Sequence, residues 1–144
     1  MYQKVVIVGN LGGDPEMRWL DSGTAVTNFS VATNRKWSDG QGNQKEETAW
    51  FRVSVWGKMA EVCNQYLSKG RQVMVEGRLR PDPETGGPRI WTDQSGQPRA
   101  SYEMIGLEVK FLGGRGGSGD YDNSSGDFSE NAGGSGQTED EIPF

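Results

Sequence analysis

The ten residues Glu47–Trp56, with the sequence ETAWFRVSVW, carry the pattern from which the fold can be predicted. Apolar side chains occupy the odd positions Phe51, Val53 and Val55. The even positions carry Trp50, Arg52, Ser54 and Trp56. Because successive side chains of a β-strand point to opposite faces, this segment is predicted to be a strand with one core face. Its other face places two tryptophans around a cation and has the character of a binding surface.

Four more segments on either side of this one have the two-residue period of strands. They are Val5–Val8, Val26–Thr33, Gln72–Leu79 and Tyr102–Leu112. In the second of these four, the predicted core face consists of Thr27, Phe29 and Val31. In the last, it consists of Ile105, Leu107, Val109 and Phe111.

A single segment, between the third and fourth predicted strands, has the period of a helix. Apolar residues recur three and four positions apart at Met59, Val62, Cys63, Tyr66 and Leu67, and the sequence Lys69-Gly70 then provides a basic last turn and a stop. We predict an amphipathic helix with Cys63 and Tyr66 in the core. Trp19, next to Leu20, is also expected in the core.

The two longest connections are predicted to be polar loops. The first, Asn34–Glu46, is a hairpin tip that carries Trp37. The second joins the last two strands and carries Trp91. Three strands, one helix and two further strands match the all-β OB-fold, a five-stranded Greek-key barrel, with the helix between strands 3 and 4.

Composition divides the chain into two parts, 1–112 and 113–144. The first part has 14 Lys/Arg against 13 Asp/Glu, whereas the second has one Arg against seven acids and nine glycines in 32 residues. A Gly/Ser/Asp-rich segment without apolar periodicity cannot bury enough surface to offset its ordering entropy. We therefore expect a barrel domain at 1–112 and a disordered tail at 113–144. The chain's net charge of −5 describes neither part.

Several classes of function are excluded by what the sequence lacks. The chain has no histidine and one cysteine, Cys63, so catalytic triads, Cys/His metal clusters and an intramolecular disulfide are impossible. Asp14 and Glu16 flank a proline in a turn and are expected to be solvated. No phosphate loop is present, and the apolar run at Val5–Val8 is too short for a signal peptide or a membrane span. We expect a cytoplasmic protein that is not an enzyme and has no metal or cofactor.

Tryptophans next to cations are the positive signal for function. Unpaired bases stack on flat side chains, each contributing about 1–3 kcal/mol, and neighbouring Lys or Arg neutralise phosphates. The predicted binding residues are Trp37, Trp50, Trp56 and Trp91 with Arg35, Lys36, Arg52, Lys58, Lys69, Arg89 and Arg99. The pattern predicts sequence-independent binding of single-stranded nucleic acid, since every base has a π-face.

Other interpretations of the same residues stay open. The tryptophans could pack under a loop or in a subunit interface. An OB-fold could also bind an oligosaccharide or a structured RNA, although cations beside indoles favour a polyanion. A nuclease with a carboxylate metal site is the enzymatic alternative, but no acids cluster at a strand end.

The last six residues of the tail form a second candidate site. Three acids precede two apolar side chains in the sequence Glu139, Asp140, Glu141, Ile142, Pro143 and Phe144. Such a segment suits an apolar pocket with a basic rim on a partner protein, and the alternative is a merely solubilising acidic end.

Several stretches of the chain, most of them in the predicted barrel, resemble the bacterial single-stranded DNA-binding protein family. The resemblance covers Lys4–Gly12, Trp50–Val53, Trp56–Glu61, Tyr66–Gly70, Val75–Gly77, Trp91–Gly96 and the final Ile142–Phe144. It implies an OB-fold homotetramer around which single-stranded DNA wraps. It also implies that the tail tip recruits replication, recombination and repair proteins. Two departures are a longer, proline-rich Pro81–Pro88 loop and Phe51, where histidine is familiar in the family.

Overall fold

The computed structural model describes residues 1–113, which form seven strands and one helix. The elements in chain order are β1 Val5–Leu11, β2 Glu16–Trp19, β3 Ala25–Ser38, β4 Gln44–Trp56, α1 Lys58–Tyr66, β5 Gln72–Leu79, β6 Arg89–Thr92 and β7 Pro98–Leu112. No helix in this part of the chain is long and apolar enough to cross a membrane.

Five of the strands close into a barrel. The order is β1-β5-β7-β4-β3, and β3 pairs with β1 to complete the ring. The helix α1 follows the third barrel strand and precedes the fourth, so the predicted OB-fold is confirmed. The short strands β2 and β6 were not predicted, and they extend the sheet on β3 and β7 respectively.

The core lies inside this ring and is closed by the helix. Val31, Val53, Val55, Val73 and Val75 are completely buried. The helix contributes Ala60, Cys63 and Leu67. The Thr27 hydroxyl is also buried, and it donates a 2.7 Å hydrogen bond to the Ala60 carbonyl. Because that bond satisfies the hydroxyl, a polar group can connect barrel and helix without an unpaired donor.

A bulge in β7 makes part of one predicted core face wrong, although Val109 packs against the core as predicted. Glu76 pairs with Glu108 but Gly77 pairs with Gly106, so Leu107 is an extra residue and is 67% exposed. On the N-terminal side of the bulge it is Met104 that is buried, one position out of phase with the prediction. A single inserted residue reverses which side chains face the core, and periodicity alone cannot reveal it.

Two more core predictions are wrong. Trp19 lies at the end of the short strand β2 and is 60% exposed. Tyr66 is 55% exposed in the last turn of α1, where its ring lies 6.3 Å from that of Phe111. In each case a neighbouring residue is buried instead: Ala25, which pairs with Trp19, and Leu67, which follows Tyr66. Cys63 is fully buried as predicted, and burial raises the pKa of its thiol to about 11.

The predicted long hairpin tip is also wrong. Strands β3 and β4 remain paired out to Ser38 and Gln44, so only residues 39–43 form the turn. The Asp39 carboxylate closes that turn by accepting hydrogen bonds from the backbone of Gln41 and Asn43. These bonds lower the pKa of Asp39, and the bond from the Asn43 backbone has the largest effect. Residues expected in a loop therefore lie on a regular two-stranded arm.

Barrel closure depends on a close approach at Gly9. A Cβ at this position would overlap the Ala32 carbonyl oxygen and lie 2.8 Å from Cγ1 of Val31. The adjacent residues Asn10 and Leu11 make the β1–β3 pairing that completes the ring. Glycine is therefore required where β1 meets β3.

We predict that Gly9→Ala lowers the free energy of unfolding by about 2–3 kcal/mol, because the backbones must separate where the ring closes. Denaturant unfolding measures this change. Gly13→Ala is the matched control, since nothing lies within 4 Å of a Cβ placed there. Equal stability of the two variants would contradict the importance of this contact.

Candidate nucleic-acid interface

A groove crosses the outer face of β4, on the side opposite the core. Its first section, the aromatic section, has a volume of about 420 Å³ and is bounded by Trp50 of β4 and Trp91 of β6. Arg52 and Arg89 line the same section, together with Ser101 and Glu103 of β7. The two indoles are 51% and 47% exposed, which leaves ring surface free for a ligand. Two aromatic surfaces and two cations thus come together as predicted.

Trp50 is held in place by Gly12, in the turn after β1. The three atoms nearest to a Cβ placed at residue 12 all belong to the Trp50 indole, and the Cβ would overlap the ring. A backbone hydrogen bond of 3.0 Å from Gly12 to the Ser30 carbonyl keeps this turn against β3. Because any side chain at residue 12 would displace the indole, the position of the Trp50 ring depends on glycine at residue 12.

The same turn is tied to the segment that follows α1. The backbone N–H of Lys69 donates to a carboxylate oxygen of Asp14 at 2.8 Å, and that of Gly70 donates to the Leu11 carbonyl at 2.8 Å. Lys69, predicted to bind nucleic acid, thus has a structural role through its backbone, and it does not line the groove.

The second indole, Trp91, is presented by the β6–β7 hairpin. Asp93 closes the hairpin turn by accepting bonds from the Ser95 hydroxyl at 2.6 Å and the Arg99 guanidinium at 2.9 Å. Together with the Gln97 amide, these donors lower the pKa of Asp93 to about 2. The Asp93 carboxylate therefore makes its full contribution to stability above the pKa of an unfolded aspartate, about 3.9. That contribution is lost as the pH falls from there towards 2. Arg99, a predicted binding residue, is engaged in this turn.

The proline-rich Pro81–Pro88 loop lies between β5 and β6 and folds back on itself. The Asp82 carboxylate accepts hydrogen bonds from the backbone of Glu84 at 2.9 Å and of Thr85 at 3.1 Å. The backbone of Asp82 also exchanges bonds with Gly86 and Gly87. The extra residues therefore form a compact turn before Arg89.

Arg52 occupies the centre of the groove. Within residues 1–113, no carboxylate lies within ion-pair distance of its guanidinium, whereas Arg89 pairs with Glu103 at 3.5 Å. An unpaired guanidinium in the same groove section as two exposed indoles is available for a bidentate contact with an anion.

A second section of the groove contains cations that the sequence did not reveal as binding residues. This arginine section, of about 430 Å³, is lined by Arg18, Arg52, Arg80 and Arg89 with Glu16 and Glu103. Arg18 lies on the unpredicted strand β2, and Arg80 directly follows β5. Arg18 adjoins Trp19, but that tryptophan was expected in the core, and Arg80 adjoins no aromatic residue. Only the sheet pairing brings them beside Arg52.

The arm formed by the outer ends of β3 and β4 carries Trp37 away from this groove. The unbroken β3–β4 register places Trp37 and Trp50 on opposite faces of the ladder. The guanidinium of Arg35 lies 5.3 Å from the centre of the Trp37 ring. Arg35 also pairs with Glu47 at 3.5 Å, and Lys36 with Glu46 at 3.4 Å. The arm is a separate aromatic site whose cations are already partnered.

The remaining predicted residues lie at other places. Trp56 is on the groove face of β4 but partly buried, and Val26 separates it from Arg18 across the sheet. Lys58 begins α1 and pairs with Glu61 at 3.8 Å. The tip, Glu139–Phe144, lies outside the described residues. In the part that is described, no three His, Cys, Asp or Glu side chains are placed to hold a metal ion.

Comparison with known proteins agrees with this geometry. Residues 2–112 match the family described as "Single-strand binding protein family". Among solved structures, the chain is similar to a Plasmodium falciparum SSB in complex with ssDNA. The two are 30% identical, with a TM-score of 0.63, over 78% of this chain and 97% of that one. Because the match spans the whole barrel, the chain belongs to the single-strand binding protein family.

Proposed function

We propose that this protein binds single-stranded DNA without sequence preference and protects it during replication, recombination and repair. The observation that carries the proposal is the aromatic section of the groove, which Trp50 and Trp91 line together with the unpaired Arg52. Bases stack on the exposed indoles, and the guanidinium neutralises the phosphates between them. Family membership and the similarity to an SSB solved with ssDNA support the same function.

The groove also argues against the alternative ligands. An oligosaccharide could stack on the two indoles, but it would not need the four arginines that line the groove. In a duplex the faces of the bases are stacked on one another and are not available to Trp50 and Trp91. A flexible single strand presents free base faces and phosphates together.

The proposal includes a homotetramer. Val6 and Val8 on the outer face of β1 are about half-exposed, and Met74 of β5 pairs with Val8 beside them. Within the described residues, only Asn10 and Leu11 of β1 pair with β3, so the preceding residues leave that edge open. An apolar strand with an open edge suits pairing with a second copy. Native mass spectrometry tests the subunit number, and a monomer at micromolar concentration would contradict this part.

The tail tip is proposed to recruit partner proteins of replication, recombination and repair. Its acids and the apolar Ile142 and Phe144 suit a pocket with a basic rim. A cytoplasmic, nucleoid-associated location follows from these roles and belongs to the same proposal.

The first prediction concerns the ligand itself. We expect oligo-dT to quench tryptophan fluorescence strongly, duplex DNA of equal length to quench it weakly, and affinity in mixed sequences to fall with added salt. Trp50→Ala should weaken oligo-dT binding by about 1–3 kcal/mol, the contribution of one stacked base. Equal quenching by duplex and single strand would contradict the proposal.

The second prediction concerns the Gly12–Trp50 contact. Gly12→Ala should weaken oligo-dT binding by about 1–2 kcal/mol because it displaces a stacking surface, whereas Gly13→Ala should change it little. In a Trp50→Ala background, Gly12→Ala should have no further effect on affinity, and fluorescence titrations measure all four variants. Additive effects would show that Gly12 acts independently of Trp50.

The third prediction separates the tail from the barrel. Removal of Phe144 should weaken binding to a tip-dependent partner by about 2 kcal/mol, or about 30-fold, because one apolar anchor is lost. Affinity for oligo-dT should be unchanged. Calorimetry with the partner and fluorescence with oligo-dT measure the two effects, and a loss of DNA affinity would refute this division of roles.

A further inference from the structure

We infer that the groove has two sections of different specificity, and that the arginine section binds the phosphates of the DNA without contacting its bases. The inference rests on the proposed function and states how the ligand is divided along the site. Its aromatic section would hold unpaired bases between Trp50 and Trp91. Its arginine section would hold only the backbone that leads away from them.

The charges of the arginine section fit an anion. Four arginines reach it from four segments of the chain: Arg18 of β2, Arg52 of β4, Arg80 after β5 and Arg89 of β6. Two carboxylates share it, Glu16 and Glu103, and the second already pairs with Arg89. Among residues 1–113, Arg18, Arg52 and Arg80 have no carboxylate within ion-pair distance. Planar guanidinium groups suit bidentate contacts with phosphate oxygens.

The arginine section lacks the aromatic surfaces on which bases stack. No aromatic side chain of the described residues lines it. Its floor contains Asn28 and Ser54, which pair across β3 and β4. The Ser54 hydroxyl donates a 2.6 Å hydrogen bond to the Asn28 side-chain oxygen, so that hydroxyl hydrogen and that oxygen are already paired. The groups best suited to a ligand here are therefore the guanidiniums, which bind phosphate oxygens without reading the bases.

The two sections are continuous, so one strand of DNA can occupy both. Arg52, Arg89 and Glu103 line each of them. From Trp50 to Ser54, four residue-to-residue steps along β4 span about 13 Å. A strand whose bases stack at Trp50 and Trp91 would therefore pass directly over Arg52 into the arginine section.

The test compares two ligands and two double variants of the full chain. The ligands are oligo-dT and an abasic oligomer of equal length with the same phosphate backbone. Arg18→Gln with Arg80→Gln should lower the affinity for both ligands equally, by about 25-fold at 0.1 M salt. In a plot of the logarithm of the binding constant against that of the salt concentration, the slope should become less negative by about 1.4. Trp50→Ala with Trp91→Ala should lower the affinity for oligo-dT by about 30-fold or more. It should change the affinity for the abasic oligomer by no more than about twofold.

Arg71→Gln is the control for charge. Arg71 lies between α1 and β5 and does not line the groove. Melting temperatures establish that each variant is folded. The double arginine variant removes two charges and Arg71→Gln removes one. The inference fails if the arginine variant weakens binding of the abasic oligomer by no more than twice the free energy that Arg71→Gln costs, or if the tryptophan variant weakens binding of both ligands equally. If the unmodified protein binds neither ligand, the proposed function itself fails.

Discussion

The β3–β4 ladder is the constraint on which the rest of the structure depends. It pairs Val26–Ser38 with Gln44–Trp56 without interruption. Inside the barrel its inward face supplies Phe29, Val31, Val53 and Val55 to the core. Its outward face supplies Trp50 and Arg52 to the groove, and its outer end is the arm. A slip of one residue would move indoles into the core and valines into the groove, so the register determines stability and binding together.

The cations of the barrel differ in whether a carboxylate already pairs with them. This difference separates them more clearly than a count of cations does. Arg35, Lys36, Lys58, Arg89 and Arg99 each have a carboxylate partner. Arg18, Arg52 and Arg80 have none among the described residues. A paired cation must break or share its existing contact before it can neutralise a phosphate. Exposed pairs contribute only about 0–1 kcal/mol, so this cost is modest, but it ranks the unpaired arginines first.

The sequence predicted the barrel because apolar residues recur at every second position in the central parts of β3, β4 and β5. The same reasoning failed where local pattern and three-dimensional position separate. The extra residue Leu107 reverses the phase of β7. The sequence of β7 alone does not show that β5 has no residue opposite Leu107. Trp19 and Tyr66 are exposed although Ala25 and Leu67 beside them are buried, and apolar character alone does not distinguish these positions.

The aromatic residues of the candidate site were predictable, but of its four arginines only Arg52 and Arg89 were. Trp50 and Arg52 are neighbours on one strand, so their shared face can be read from spacing. Arg18 and Arg80 are 62 positions apart and meet only through the pairing of β2, β3, β4, β7 and β5. Trp37 shows the opposite case, since it adjoins cations in sequence but faces away from the groove.

The buried Cys63 has a practical consequence. It is the chain's only cysteine, it is wholly enclosed between helix and barrel, and its raised pKa keeps the thiolate scarce at neutral pH. Maleimide dyes and spin labels react with exposed thiolates and should leave it unmodified in the folded protein. A cysteine introduced on the arm or beside the groove would therefore carry a single reporter group, with the natural thiol left in place.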